Sequence, residues 1–191
     1  MTGTGQNTDQ EPLRGMRGYG PKHLAISAIA ALLLVYTVVR ACTVSFSWDE
    51  GYTFMHHVRK GNFFQDTFDM MGANHHMLNV WLMWLSMKMF GDGEFVLRLP
   101  NVLAHVLYLY GSARIAARAS STWLAVAAFV LMNAHPYLLD FFSLARGYGL
   151  ANGCIMMSLW CVLRCLNEGT SRVQAGWAMC WAALAALANT I

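Results

Sequence analysis

Two adjacent acids, Asp49 and Glu50, stand in the stretch Ser47-Trp48-Asp49-Glu50, just after the first long apolar run of the chain. A chain this apolar can carry carboxylates cheaply only where water or a buried partner meets them. An acidic pair at a helix exit therefore marks the wet edge of a site. Further along come the triplet Asn74-His75-His76, then Arg98, then a stretch from Asp140 to Tyr148 that carries Arg146. Acids, histidines and arginines gathered at one membrane face could bind an anionic head group and move a proton beside it. The plainer reading of Asp49 and Glu50 is a solvated helix end, and spacing alone does not separate the two.

The elements that must position these residues follow from composition. Hydrophobic residues make up 57% of the 191 residues and charged residues only 12%, about half the charged share of an ordinary soluble domain. The chain reads as an all-α, polytopic membrane helical bundle, with room for roughly four or five spans of about 20 residues and one sizeable loop. A formal net charge of +3, scattered along the sequence, gives no basic stripe with interleaved aromatics and excludes nucleic acid as a partner. The five cysteines show neither CxxC nor Cys/His zinc spacing and read as small buried apolar residues.

Residues 1–22 form a polar tail, which Arg14, Arg17 and Lys22 hold on the cytoplasmic side by the positive-inside rule. Residues 23–191 then form one membrane domain. Leu24–Val39 is the first span, running outward as an uncleaved anchor. The stretch from Ser47 to Asn74 mixes charges with aromatics and suits short interfacial helices in a first external loop. Met77–Phe90 is apolar but only 14 residues long, about 21 Å as a helix and short of a hydrocarbon core near 30 Å. Read as re-entrant, it leaves Arg114, Arg118, Arg164 and Arg172 in cytoplasmic turns, as the basic residues require. The later spans are then Leu99–Ala113, Thr122–Leu139 with a bend or end at Pro136, Leu150–Leu163 and a fifth from Gln174. Asp140–Gly149 becomes a second external turn. His105 and His135 fall inside spans and read as packing residues.

Four blocks in this order carry a resemblance: SWDEGYTF, ANHHMLNVWLMWLSMKMFG, GEFVLRLPNVLAHVLYLYGSARIAAR and HPYLLDFFSLARGYGLANG. Together they resemble the membrane part of GT-C class, polyprenyl-phosphate-sugar-dependent glycosyltransferases, which include the protein O-mannosyltransferase, aminoarabinose transferase and RgtA/B/C/D-like branches. The resemblance implies transfer of a sugar from a polyprenyl-phosphate donor to a lipid, glycan or protein acceptor on the extracytoplasmic face, with inversion and without a nucleotide sugar. It places the catalytic carboxylate at Asp49 with Glu50 beside it. The donor phosphate falls to Arg98 first and Arg146 second, and Asn74, His75 and Tyr148 are candidate substrate contacts. A bacterial inner membrane with the N-terminus cytoplasmic is the expected location.

The chain departs from the family pattern at two points. His75-His76-Met77-Leu78 stands where relatives commonly have His-Pro-Pro-Leu, and Ala145-Arg146-Gly147 stands for Ala-Arg-Pro, a more flexible link. Relatives also run on through further spans, so the chain is expected to be the N-terminal part of a longer enzyme. No cofactor is required. His56, His57, His75 and His76 with the loop acids have the ligand types of a zinc site but no HExxH spacing, so a divalent metal stays a secondary expectation. From the residues alone, Arg146 could equally pair with Asp140, and Arg98 could anchor a helix start. The alternative function is a non-catalytic membrane protein that binds a polyprenyl lipid or a partner subunit.

Overall fold

A computed structural model describes residues 20–61, 63, 76–168 and 172–189. The expected contacts Asn74 and His75, the tail residues 1–19 and the loop acids Asp66 and Asp69 lie outside the described residues. Among the described residues the chain is helical throughout, with no strand. Helix α1 spans Pro21–Thr43 and α2 spans Trp48–Thr53, continued by a π-helical turn at Phe54–Val58. The remaining helices are α3 (Met77–Phe90), α4 (Glu94–Ala116), α5 (Thr122–Asn133), α6 (Pro136–Ser143), α7 (Gly147–Glu168) and α8 (Arg172–Ala188).

Local chemistry sets several of these boundaries. Pro21 opens α1, where its missing N–H costs nothing. Ser47 and Glu50 form a reciprocal capping box on α2: the Glu50 N–H donates to Ser47 Oγ, and the Ser47 N–H to Glu50 Oε2. Gly91, at φ 95°, ends α3 in a conformation that side chains disfavour. Helix α4 begins at Glu94, five residues before the span expected at Leu99, so Pro100 sits inside the helix rather than at its start.

Among the described residues two helices, α1 and α7, are long and apolar enough to cross a membrane, and the α5–α6 pair makes a third if its 59° bend counts as one broken span. That is fewer than the five spans expected. Helix α8 has only 17 residues. Helix α4 matches α1 at 23 residues, but it carries Arg98, Asn101, His105 and Ser112, all buried, on its inward side. Polar groups facing a bundle interior lower mean hydropathy without shortening the helix, which at 1.5 Å per residue is about as long as a hydrocarbon core is thick. Helix α3 stays at one end of the bundle. Its first turn meets α4 through Asn79 and Asn101, and its last joins the start of α4 within three residues. At 14 residues it is about 21 Å long.

The break at Pro136 is chemically repaired. Proline has no N–H to give the Met132 carbonyl four residues earlier, and the Tyr108 hydroxyl donates to that carbonyl instead, at 2.9 Å. Beside it, buried Asn133 and Ser112 share hydrogen bonds at 3.1 Å, and Asn133 Nδ2 also donates to the Phe129 carbonyl. Tyr108→Phe should leave the carbonyl at the break unpaired and cost about 1–3 kcal/mol, read as a lower thermal midpoint in detergent with the far-UV helical signal unchanged.

Helices α4 and α7 run parallel and approach closely. A Cβ at Gly111, Gly149 or Gly153 would collide with Met156, the Asn101 side chain or the Ala104 backbone respectively. Helix α8 returns antiparallel to α7, with Ser158 Oγ donating to the Ala178 carbonyl. The stretch 140–149, expected as an external turn, is mostly helix: α6 reaches Ser143 and α7 starts at Gly147, leaving a link of Leu144–Arg146. His105 packs as expected, stacked on Phe142 at 4.5 Å, whereas His135 is exposed at the α5–α6 break. All five cysteines are free, but Cys42 and Cys180 are exposed rather than buried.

Candidate active site

Asp49 and Glu50 point in opposite directions from α2. Glu50 is fully buried and its carboxylate accepts four hydrogen bonds. Arg98 Nε and the Ala145 N–H donate to Oε1, while Arg98 Nη2 and the Ser47 N–H donate to Oε2, over 2.6 to 2.9 Å. Arg98 is equally buried. Its remaining N–H groups donate to the Ala41, Val44 and Ser45 carbonyls at the end of α1, groups that a helix C-terminus leaves without partners. The expected substrate-facing roles of Glu50 and Arg98 therefore do not match their placement. Every N–H of Arg98 that is described as bonded turns to the protein interior, and the pair fastens α1, α2, α4 and the α6–α7 link together. Nor does Arg98 anchor a helix start at the interface.

Burial by itself would raise the Glu50 pKa, but the Arg98 guanidinium and the Ala145 and Ser47 N–H groups outweigh it and hold the carboxyl below its ordinary value. A carboxylate so occupied is a poor proton acceptor. The linkage sign follows: a depressed native pKa gives stability that is fully present above the unfolded value of 4.5 and is lost as pH falls through the native pKa. Thermal stability should thus fall on acidification below about pH 4.5, and Glu50→Gln should flatten that fall at the expense of stability at neutral pH.

Asp49 faces the other way, half-exposed. Its Oδ2 lies 2.7 Å from Arg146 Nη2, across 97 residues of sequence, and both side chains remain about one-third accessible. The open alternative of an Arg146–Asp140 pair is not what forms. Asp140 instead lies 2.9 Å from Arg40 Nε, joining α6 to α1; the angle at Nε falls short of a hydrogen bond, so this is an ion pair only. Asp49, Thr53, His76, Asn79, Ala145 and Arg146 line a small cleft with only about 10 Å³ of free volume. The Arg146 guanidinium lies 5.4 Å from the Tyr148 ring, and the His76 and Tyr148 rings meet edge to face at 4.9 Å. His76 thus stands at the cleft. The π-helical turn lies directly after Thr53 and rotates His57 inward, while Tyr52 stacks between His56 and Trp48. Such turns recur at functional sites.

The backbone that carries Arg146 is gripped from both sides. Glu50 accepts from the Ala145 N–H, and Asn79 Nδ2 donates to the Ala145 carbonyl at 3.2 Å. Asn101 Nδ2 donates in turn to Asn79 Oδ1, and Asn101 Oδ1 accepts from the Leu150 N–H, so both ends of the link are tied to α3 and α4. Gly147, expected to loosen the link, is a close-packing position: a Cβ there would collide with the Ala188 carbonyl and the His76 ring. Asn79 and Asn101 were not singled out in the sequence. Their signal was present, since each is an asparagine inside an otherwise apolar helix, where an amide must find partners.

Among the described residues no three His, Cys, Asp or Glu side chains converge to hold a metal ion. Over residues 74–190 the chain matches the family model described as dolichyl-phosphate-mannose-protein mannosyltransferase. The acidic pair at 49–50 precedes the matched region. No curated protein and no solved structure matches the chain.

Proposed function

The chain belongs to the dolichyl-phosphate-mannose-protein mannosyltransferase family and is a membrane glycosyltransferase of the GT-C type, and from that premise we propose how its cleft handles donor and acceptor. The donor is a sugar on a polyprenyl phosphate, the acceptor is a hydroxyl group, and the reaction is a single displacement that inverts the anomeric centre. Asp49 accepts the acceptor's proton as its oxygen bonds to the anomeric carbon. The bond from that carbon to the phosphate oxygen breaks, and its electron pair leaves on the lipid phosphate. Arg146 donates to that phosphate as negative charge develops, in the way guanidinium groups stabilise phosphoryl oxygens. Tyr148 and His76 flank the sugar, while Glu50, Arg98, Asn79 and Asn101 hold the two reacting residues in register.

The observation that carries this reading is the half-exposed Asp49–Arg146 pair at the mouth of a cleft. A carboxylate and a guanidinium in contact, accessible, and mounted on a clamped backbone are one proton acceptor and one hydrogen-bond donor to phosphate in waiting. The cleft has too little free volume to admit a sugar while the pair is closed, so donor binding must part it. With the N-terminus cytoplasmic, this cleft opens on the extracytoplasmic face.

The donor class is tested with native, full-length protein in its own membranes, offered a radiolabelled sugar either on polyprenyl phosphate or as a nucleotide sugar. Transfer from the lipid-linked donor alone, with release of polyprenyl phosphate, is the expected result. Equal transfer from the nucleotide sugar in membranes stripped of polyprenyl phosphate would defeat the assignment.

A further inference from the structure

The end of the bundle away from the cleft carries a second arrangement that the transfer reaction does not use. Trp160, on α7, is buried, and three guanidinium groups gather around its ring. Arg118 lies 4.9 Å from the ring centroid, Arg114 5.2 Å and Arg164 6.0 Å. Arg118 Nη1 also donates to the Leu163 carbonyl, and Lys22 Nζ donates to the Ala117 carbonyl at the foot of α4. Arg114 and Arg118 are exposed, and no described carboxylate pairs with either. The acids whose side chains are described lie elsewhere: Asp49, Glu50 and Asp140 are in ion pairs at the cleft end, and Asp92 and Glu94 stand at the start of α4. From Glu94 to Arg114 is 20 residues of helix, about 30 Å.

Basic residues on the cytoplasmic side of a membrane protein need no ligand to explain them. Their convergence is another matter. Exposed like charges such as Arg114 and Arg118 can splay apart, yet here they are drawn to one indole, whose ring face offsets part of the repulsion. The surrounding surface is amphiphilic. Trp123 is 85% exposed, and Leu166 and Val162, which flank Arg164 along α7, are also exposed. A cationic cradle bordered by bare apolar side chains complements a molecule with an anionic head and hydrocarbon tails.

We propose that Arg114 and Arg118, gathered with Arg164 around Trp160, bind the phosphodiester headgroup of an anionic phospholipid in the leaflet at this end of the bundle. The guanidinium groups donate to the phosphodiester oxygens, and Trp123, Val162 and Leu166 lie against the acyl chains. The indole holds the cations close before the lipid arrives, so less side-chain freedom is lost on binding.

The test is retention of radiolabelled phosphatidylglycerol by native, full-length protein purified in detergent, with phosphatidylcholine as the zwitterionic control. Wild type should keep about one phosphatidylglycerol per chain and release it to excess unlabelled phosphatidylglycerol but not to phosphatidylcholine. Arg114→Gln/Arg118→Gln should weaken retention at least tenfold. Arg59→Gln/Lys60→Gln, which removes the same charge beyond α2, should leave it unchanged. Should the glutamine variant fail to fold, Arg114→Lys/Arg118→Lys keeps the charge, loses the planar fork and should give intermediate retention. Equal retention of the two lipids, or equal loss from the Arg59/Lys60 variant, would overturn the proposal. So would displacement by glycerol phosphate at the same concentration as phosphatidylglycerol, which would mark a free-phosphate site instead.

Discussion

Asp49→Asn should reduce sugar transfer by about 10²–10⁴-fold, the usual contribution of a positioned general base, with the protein still inserted and folded. An amide keeps the shape of the carboxylate and can still hydrogen bond, but it cannot take a proton from a sugar hydroxyl. The side chain is about one-third accessible and its one ion pair is with a similarly accessible arginine. Salt bridges of this kind contribute little to stability, so the fold should not register the change. Transfer by the native enzyme carrying Asp49→Asn, measured beside its thermal midpoint, separates the two effects. A fall in the midpoint that matches the fall in activity would mean Asp49 is structural.

Arg98→Met should do the reverse. It removes the partner of a fully buried carboxylate and leaves the Ala41, Val44 and Ser45 carbonyls at the end of α1 without the donor that caps them. Removing one side of a buried ion pair typically costs about 3–5 kcal/mol, a large share of the stability of any domain. The expected outcome is a low yield of folded protein and a thermal midpoint many degrees below wild type. Arg98→Lys should recover part of this, since an ammonium restores the charge without the bidentate fork. A double substitution of Glu50 and Arg98 to apolar residues should cost less than the sum of the two singles, because neither charge is then stranded. Additive costs would show that Glu50 and Arg98 are not coupled.

The contrast between these two outcomes shows what could and could not be read from the residues. The adjacent acids look equivalent in sequence, and both were expected at the substrate. Their separation depends on α2: the capping box turns Glu50 back toward the chain that precedes it, while Asp49 faces the cleft. Arg98 was expected at the external face, facing the donor phosphate, and burying a charge is expensive. The cost is met by five hydrogen bonds that Arg98 donates to partners 48 to 57 residues away, which no local pattern reveals. Arg146 was a candidate from the start, but its partner was open between Asp49 and Asp140, and only the packing of α1 on α6, which occupies Asp140 with Arg40, settles it.

The helical class and the bend at Pro136 were legible because apolar run length and a missing N–H are local properties. The short α3 was legible as a 14-residue helix for the same reason. Helix α4 was harder. Its first turns, through Arg98, read as an external stretch and the span was started at Leu99, because hydropathy cannot tell a polar side chain facing solvent from one facing a bundle interior. The same ambiguity hid Asn79 and Asn101, whose amides clamp the link that carries Arg146.

The account rests on Asp49 being the proton acceptor and Arg146 the hydrogen-bond donor to the lipid phosphate in one cleft, closed on each other until the lipid-linked sugar parts them. The most direct measurement is binding and turnover of a polyprenyl-phosphate sugar by native, full-length protein, compared between wild type and Asp49→Asn. Losing the carboxylate frees Arg146, so the variant should bind the donor at least as tightly as wild type while failing to transfer the sugar. Transfer by Asp49→Asn at the wild-type rate would contradict the account.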